Sequence, residues 1–303
     1  MRIARCTLCG LLAVAALSPA PEETTIRADV NLVQLPVTVT DTRGRTVSGL
    51  TKEAFQLFVD NVPQPITVFQ GEDAPVTAGI VIDNSASMAP RVKEVIAAGL
   101  AFARASNPKD EMFVVHFSDR PRLGLPEGMR FTGNVAELEK AVGAFHLGGT
   151  TAFYDALLMA ESKFQRAGYA RKVILTITDG GDNSSHASLA EALDGAVAAG
   201  IVVYSIGIFD ENDRDRNPQA LSKIAEETGG QAFFSGQVTD VTNICVTIAK
   251  EIRSQYTIGF PGAEDGQYHR IRVTATDLKS GPLEVHTRAG YFAIKSSNAN
   301  RQK

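Results

Sequence analysis

Residues 78–87 read Ala78-Gly79-Ile80-Val81-Ile82-Asp83-Asn84-Ser85-Ala86-Ser87. The first five form an unbroken apolar run, the pattern of a strand buried on both faces, as central parallel strands are. The same pattern returns at residues 112–117, 173–177 and 201–208. Amphipathic stretches lie between these runs: Val92, Val95, Ile96 and Leu100 share one helical face, as do Leu189, Leu193 and Val197. Alternating strands and helices predict an α/β domain over residues 76–253, doubly wound around a mostly parallel central sheet.

Both flanks of this domain read as all-β. Residues 30–40 alternate, with Val33, Leu35, Val37 and Val39 on one side and Gln34, Pro36, Thr38 and Thr40 on the other. Shorter strands are expected around residues 56–59 and 66–69, after a helical turn at 51–54 and around Asp60-Asn61, Pro63 and Pro65. Alternation resumes with Tyr256, Ile258 and Phe260, then Ile271, Val273 and Ala275, then Leu283 and Val285, then Tyr291 and Ala293. Neither flank, 25–72 or 254–295, is long enough for a comfortable core alone. The expectation is one β-sandwich built from both, with the α/β domain inserted between them.

The strand at 78–82 runs directly into Asp83, Ser85 and Ser87, at the carboxyl end where open α/β sheets place their ligands. One carboxylate and two hydroxyls form an all-oxygen cluster, which suits a hard cation such as Mg²⁺ rather than zinc or copper. The plainer alternative is that these residues only cap the next helix. Two further segments weigh against capping alone. Gly148-Gly149-Thr150-Thr151 places hydroxyls on a loop before a helix, and the strand at 173–178 ends in Asp179-Gly180-Gly181-Asp182. Three separated segments thus deliver oxygen ligands to one edge of the sheet.

With these segments in order, the chain resembles the von Willebrand factor type A domain family over residues 76–253, a doubly wound, Rossmann-like fold. Asp83, Ser85 and Ser87 match the Asp-x-Ser-x-Ser element of that family's metal-ion-dependent adhesion site, and Asp179 in Ile177-Thr178-Asp179-Gly180 matches its last element. For the middle ligand, counting back from Tyr154-Asp155-Ala156 favours Thr151, whereas the Gly-Gly-Thr pattern points to Thr150; Thr151 is taken. Ala86 stands where many relatives have Gly, a change that touches no ligand. The flanks, with Leu35-Pro36-Val37-Thr38-Val39-Thr40-Asp41, Ser48-Gly49-Leu50-Thr51 and Arg288-Ala289-Gly290-Tyr291-Phe292, look like those of bacterial relatives. The resemblance implies a binding module, not an enzyme. It would hold Mg²⁺, or Mn²⁺ or Ca²⁺, on Asp83, Ser85, Ser87, Thr151 and Asp179. One or both aspartates would act through water, which leaves a position open to a Glu or Asp carboxylate of a protein partner.

Other residues invite different chemistry. His116 lies in a central strand, but no Cys or second His sits at ligand spacing, so a satisfied core histidine is expected. Asp182, Asn183, Ser184, Ser185 and His186 read as the loop and cap of the helix carrying Leu189 and Leu193. Asp155 falls in a first helical turn, where the helix dipole favours it. The charged run at 210–216 reads as a solvated loop after a central strand. A metal-dependent hydrolase using the same Asp/Ser cluster is the alternative function. Against it stand the lack of a general base placed beside the cluster, of a Gly-x-Ser-x-Gly elbow and of a zinc histidine pair.

Composition bounds the remainder. With 303 residues, 44% apolar and 21% charged, the chain is ordinary globular material. Thirty basic and thirty-four acidic residues give a formal charge of −4, with no basic run to track phosphates, so nucleic acid is not an expected partner. Arg2 and Arg5, an apolar stretch at 8–17 and Ser18-Pro19-Ala20-Pro21 read as a signal peptide over residues 1–20. The apolar stretch is well short of the roughly 20 residues a spanning helix needs. The expectation is export, periplasmic or secreted, with Cys245 as the one cysteine of the mature chain and part of an apolar helical face.

Overall fold

The computed structural model describes residues 31–71, 73–209, 216–235, 238–277 and 281–295. The expected signal peptide, residues 25–30 and all of the charged run except Arg216 lie outside the described residues. The N-terminal flank forms β1 (Leu32–Asp41), β2 (Phe55–Val59), β3 (Val62–Gln64) and β4 (Val68–Gln70). The α/β domain follows as β5 (Thr77–Asp83), α1 (Val92–Ala105), β6 (Glu111–Phe117), β7 (Pro121–Leu123), α2 (Val135–Val142), α3 (Phe153–Lys163), β8 (Lys172–Thr178), α4 (Leu189–Ala199), β9 (Ile201–Ile208), α5 (Pro218–Thr228), β10 (Ala232–Ser235) and α6 (Val238–Arg253). The C-terminal flank forms β11 (Tyr256–Pro261), β12 (Tyr268–Ala275), β13 (Leu283–His286) and β14 (Gly290–Phe292).

The central sheet has the order β10-β9-β8-β5-β6-β7, parallel except for the last pair. Every residue of β5 is buried, which is why residues 77–82 carry no polar alternation. Gly79 is required there because a Cβ would come within 2.6 Å of the Phe113 ring on β6. The chain leaves β5 toward β6 on one side and returns to β8 on the other. The carboxyl ends of β5 and β8 therefore flank the switch point where such sheets bind ligands.

The sandwich is interleaved. One sheet has the order β13-β1-β11-β4 and the other β14-β12-β2-β3, so each takes strands from both ends of the chain. The alternating residues Val33, Leu35, Val37 and Val39 meet Tyr256, Ile258, Phe260, Ile271 and Val273 in a core separate from that of the α/β domain. A hairpin at Asp60 and Asn61, with φ of 48° and 65°, joins β2 to β3; this left-handed pair matches the twist of the strands. Strands β3, β7 and β10 escape sequence reading because three or four residues show no period.

The alternation of β1 breaks at Thr38, which is buried beside Gln255. Gln255 Nε2 donates to Thr38 Oγ1 at 3.2 Å and to the Tyr204 hydroxyl at 3.0 Å, while Arg171 donates to Gln255 Oε1 at 3.0 Å. From the other side Arg288, itself buried, donates to the Gln34 carbonyl at 3.2 Å. Cys245 is buried on α6 in the domain core, and burial pushes its thiol up to about 12, so it is packing material.

Candidate metal centre

Asp83 ends β5 and Thr178 ends β8, and the register that pairs Ile82 with Ile177 sets them level. Asp83 is fully buried. Its Oδ1 accepts the Ser85 amide at 2.8 Å, and its Oδ2 accepts the Thr178 hydroxyl at 2.6 Å. Thr178 Oγ1 also accepts the Gly180 amide at 3.0 Å, so the loop carrying Asp179 is folded around the group that holds Asp83.

Ser85 begins a 3₁₀ turn, Ala86–Arg91, yet its side chain makes no cap. Its Oγ lies 2.9 Å from Ser87 Oγ, and Ser87 Oγ donates to Asp179 Oδ2 at 2.5 Å. The Ser85 hydroxyl thus meets Ser87 and the Ser87 hydroxyl meets the second carboxylate, rather than helix amides, so capping does not account for this segment. Asp179 is buried too, its Oδ1 accepting the Gly181 amide at 3.2 Å. Burial, and next the negative charge of Asp179, push the Asp83 carboxyl up to about 6 against the opposing pull of its hydrogen bonds.

The loop before α3 is tied to both other segments. The Gly148 amide donates to the Asn84 carbonyl at 3.1 Å, and the amides of Asn183 and Ser184 donate to the Thr151 carbonyl at 3.0 and 3.2 Å. Asn183 Oδ1 in turn accepts the Thr151 amide at 2.9 Å. Within this loop Thr151 is buried, 6% exposed, whereas Thr150 is exposed.

His116 is held on both ring nitrogens. Nε2 lies 2.7 Å from the Ala141 carbonyl, which can only accept, so Nδ1 is the acceptor and the Asn84 amide is assigned with its NH₂ toward it at 3.2 Å. Burial holds the imidazole below its usual pKa and so neutral. It braces the loop between Asp83 and Ser85 and has no nitrogen left to serve as a base.

The Asp182–His186 segment differs from expectation in which helix it serves. Asp182 Oδ2 accepts the Tyr154 amide at 3.0 Å and Ser185 Oγ accepts the Asp155 amide at 3.1 Å, so the segment caps α3, whose own cap position, Ala152, has no side-chain acceptor. Ser188 caps α4, in a reciprocal pair with Glu191. Asp155 does more than face a helix dipole: its carboxylate accepts the amides of His186 and Ala187 at 3.0 and 2.9 Å. Sequence reading gave Thr178 no supporting role, and it read Asp182, Asn183 and Ser185 as a loop and cap without tying them to α3 and Thr151. Their roles depend on strand register and loop closure, and the one available signal was their adjacency to Asp179.

Among the described residues no group of three or more His, Cys, Asp or Glu side chains converges as a metal site. The Asp83, Ser85, Ser87 and Asp179 cluster combines two carboxylates with hydroxyls, an oxygen-only donor set that suits a hard divalent cation. A sequence model of the von Willebrand factor type A domain matches residues 79–247. A von Willebrand factor type A protein from Catenulispora acidiphila superposes with a TM-score of 0.53 at 18% identity, over 90% of this chain and 76% of that one. Proximal thread matrix protein 1 from the mussel byssus, solved with zinc in its metal-ion-dependent adhesion site motif, superposes with a TM-score of 0.52 at 20% identity, over 64% of this chain and 49% of that one. A search of curated proteins finds no match.

Proposed function

The chain belongs to the von Willebrand factor type A domain family, and from that premise we propose that it is a divalent-cation-dependent protein-binding module. Domains of this family generally serve protein interaction rather than catalysis. The observation that carries the proposal is the run of bonds from Asp83 through Ser85 and Ser87 to Asp179, with two buried carboxylates facing each other's charge. A cation between them relieves that repulsion, and the hydroxyls supply neutral oxygens that add no further negative charge to the site.

The residues proposed to hold the cation are Asp83, Ser85, Ser87, Thr151 and Asp179. The burial of Thr151 beside the exposure of Thr150 supports the former as the middle ligand. When bound, Mg²⁺ or Mn²⁺ supplies a hard Lewis-acidic centre with affinity for a partner's Glu or Asp carboxylate. Thr178 and the Ser85 amide orient Asp83, and the His116–Asn84 pair braces the loop between the aspartate and the first serine. A zinc-occupied site of this type in the mussel protein supports a divalent ion without selecting one.

The proposal places the protein outside the cytoplasm after removal of residues 1–20; no described helix is long and apolar enough to cross a membrane. The domain limits proposed are 76–253 for the binding domain, with 25–72 and 254–295 forming the sandwich. Calorimetric titration of metal-stripped protein with Mg²⁺ and Mn²⁺ should show one site per chain, abolished in Asp83→Ala. Unchanged affinity in that variant and in Ser85→Ala/Ser87→Ala would refute the assignment.

A further inference from the structure

Two of the loops that carry candidate ligands, through Asn84 and through Gly148 and Gly149, also line a cleft of about 320 Å³, together with Ser118. The remainder of its lining comes from the same β6–β7 turn, from edge strand β7 and from the segment after α2. Arg120 and Arg122 in this lining are exposed, and His146 lines the cleft with them. Leu123 and Leu147, 46% and 47% exposed, form its apolar part. No ion pair joins either arginine to a described carboxylate. The one acid in the lining, Asp119, accepts the Ser118 hydroxyl at 3.0 Å. The cleft therefore carries net positive charge next to exposed leucine, on a protein whose overall charge is −4.

The cleft and the metal centre are mechanically one surface. The Ala152 amide donates to the Ser118 carbonyl at 2.7 Å, and the Asn84 amide donates to the Phe117 carbonyl at 2.7 Å, so two of the three ligand loops are hydrogen-bonded to the cleft wall. A partner whose carboxylate reaches the cation extends over one of the neighbouring surfaces. This one offers paired guanidinium groups for further carboxylates and leucines for an aliphatic or aromatic side chain.

We infer that this cleft receives an acidic segment of the protein partner, with a second Asp or Glu on Arg120 and Arg122 and an apolar side chain between Leu123 and Leu147. This deepens the metal-bridge reading and rests on it. The charge complementarity selects an acidic peptide, and the apolar floor separates it from a purely anionic glycan. The cleft then sets which acidic partners bind, while the cation contributes affinity common to all of them.

The test uses a random dodecapeptide library displayed on phage, selected on the full chain in Mg²⁺ and eluted with chelator. The expected enriched peptides hold two acids and a Leu, Ile or Phe within about four residues. Their affinity should fall about tenfold in Arg120→Glu/Arg122→Glu. A similar loss is expected in Leu123→Ser/Leu147→Ser, while calorimetric Mg²⁺ affinity stays at the parent value in both. Chelator-eluted peptides that bind both variants within twofold of the parent would overturn the cleft assignment and leave the metal bridge standing. If no peptide elutes with chelator although Mg²⁺ binds, the metal-bridge reading fails and the cleft assignment with it.

Discussion

Replacing Asp83 with asparagine should make the metal-stripped protein more stable at neutral pH while removing its response to metal. The carboxyl is fully buried and pushed from 3.8 up to about 6, by burial first and by Asp179 second. Its folded-state pKa lies above the unfolded one, so ionisation opposes folding. The penalty is absent below about pH 4, grows between about 4 and 6, and is fully present above, reaching about 3 kcal/mol. Asparagine removes the charge and keeps an oxygen for the Ser85 amide, but faces Thr178 Oγ1 with an NH₂ group, which costs about 1 kcal/mol. The net gain is about 2 kcal/mol at pH 7.5, roughly 5 °C in melting temperature for a domain of this size. Thermal unfolding in chelator at pH 7.5 and pH 4, then at pH 7.5 with added Mg²⁺, reads all three effects. The Asp83→Asn variant should melt higher at pH 7.5, lose that advantage at pH 4, and show none of the Mg²⁺-dependent rise of the parent. An advantage independent of pH, or a variant less stable at pH 7.5, would refute the idea that the buried charge of Asp83 outweighs its hydrogen bonds in the metal-free protein.

Thr151→Ala should weaken Mg²⁺-dependent peptide binding by tenfold or more on the scale of a lost ligand, and Thr150→Ala by no more than about twofold; the reverse order in a titration would transfer the ligand role to Thr150. Glu161 on α3 has an Oε1 with no hydrogen-bond partner, and burial alone pushes its carboxyl up to about 8. Glu161→Gln should therefore match the parent below about pH 4.5 and exceed it by about 2 kcal/mol above pH 8, discounted for its partial exposure, in urea unfolding at the two pH values. Gly229, at φ +86°, ends α5 where a Cβ would overlap the backbone of Thr287 and Arg288 in the C-terminal flank, so Gly229→Ala should cost at least about 2 kcal/mol and raise proteolysis of residues 281–295. A chain ending at residue 254 should aggregate or be cleaved within residues 31–71, because both sandwich sheets lose their C-terminal strands; a soluble, protected N-terminal flank would show that it folds alone.

The largely apolar runs at 78–82, 112–117, 173–177 and 201–208, interrupted only by His116, Thr176 and Ser205, made the α/β domain legible from sequence alone, because strands buried on both faces carry few polar residues. The alternation of Val33, Leu35, Val37 and Val39 and its counterpart after residue 255 marked both flanks as half-buried strands, and the structure interleaves them in two sheets around one core. Asp83, Ser85 and Ser87 were legible as a cluster because they follow one strand within five residues. Their relation to Asp179, 92 positions beyond Ser87, was an inference from motif order; the register of β8 against β5 is what brings the two carboxylates to one crevice. The tertiary structure alone decided that the Asp182–Ser185 segment caps α3 rather than α4 and that His116 braces Asn84. It alone gathered Arg120, Arg122, His146, Leu123 and Leu147 into one cleft. The physical reason is the same in each case. Periodicity reports which face of an element is buried, whereas hydrogen bonds and clefts between loops depend on how ends far apart in the chain are set level by the sheet.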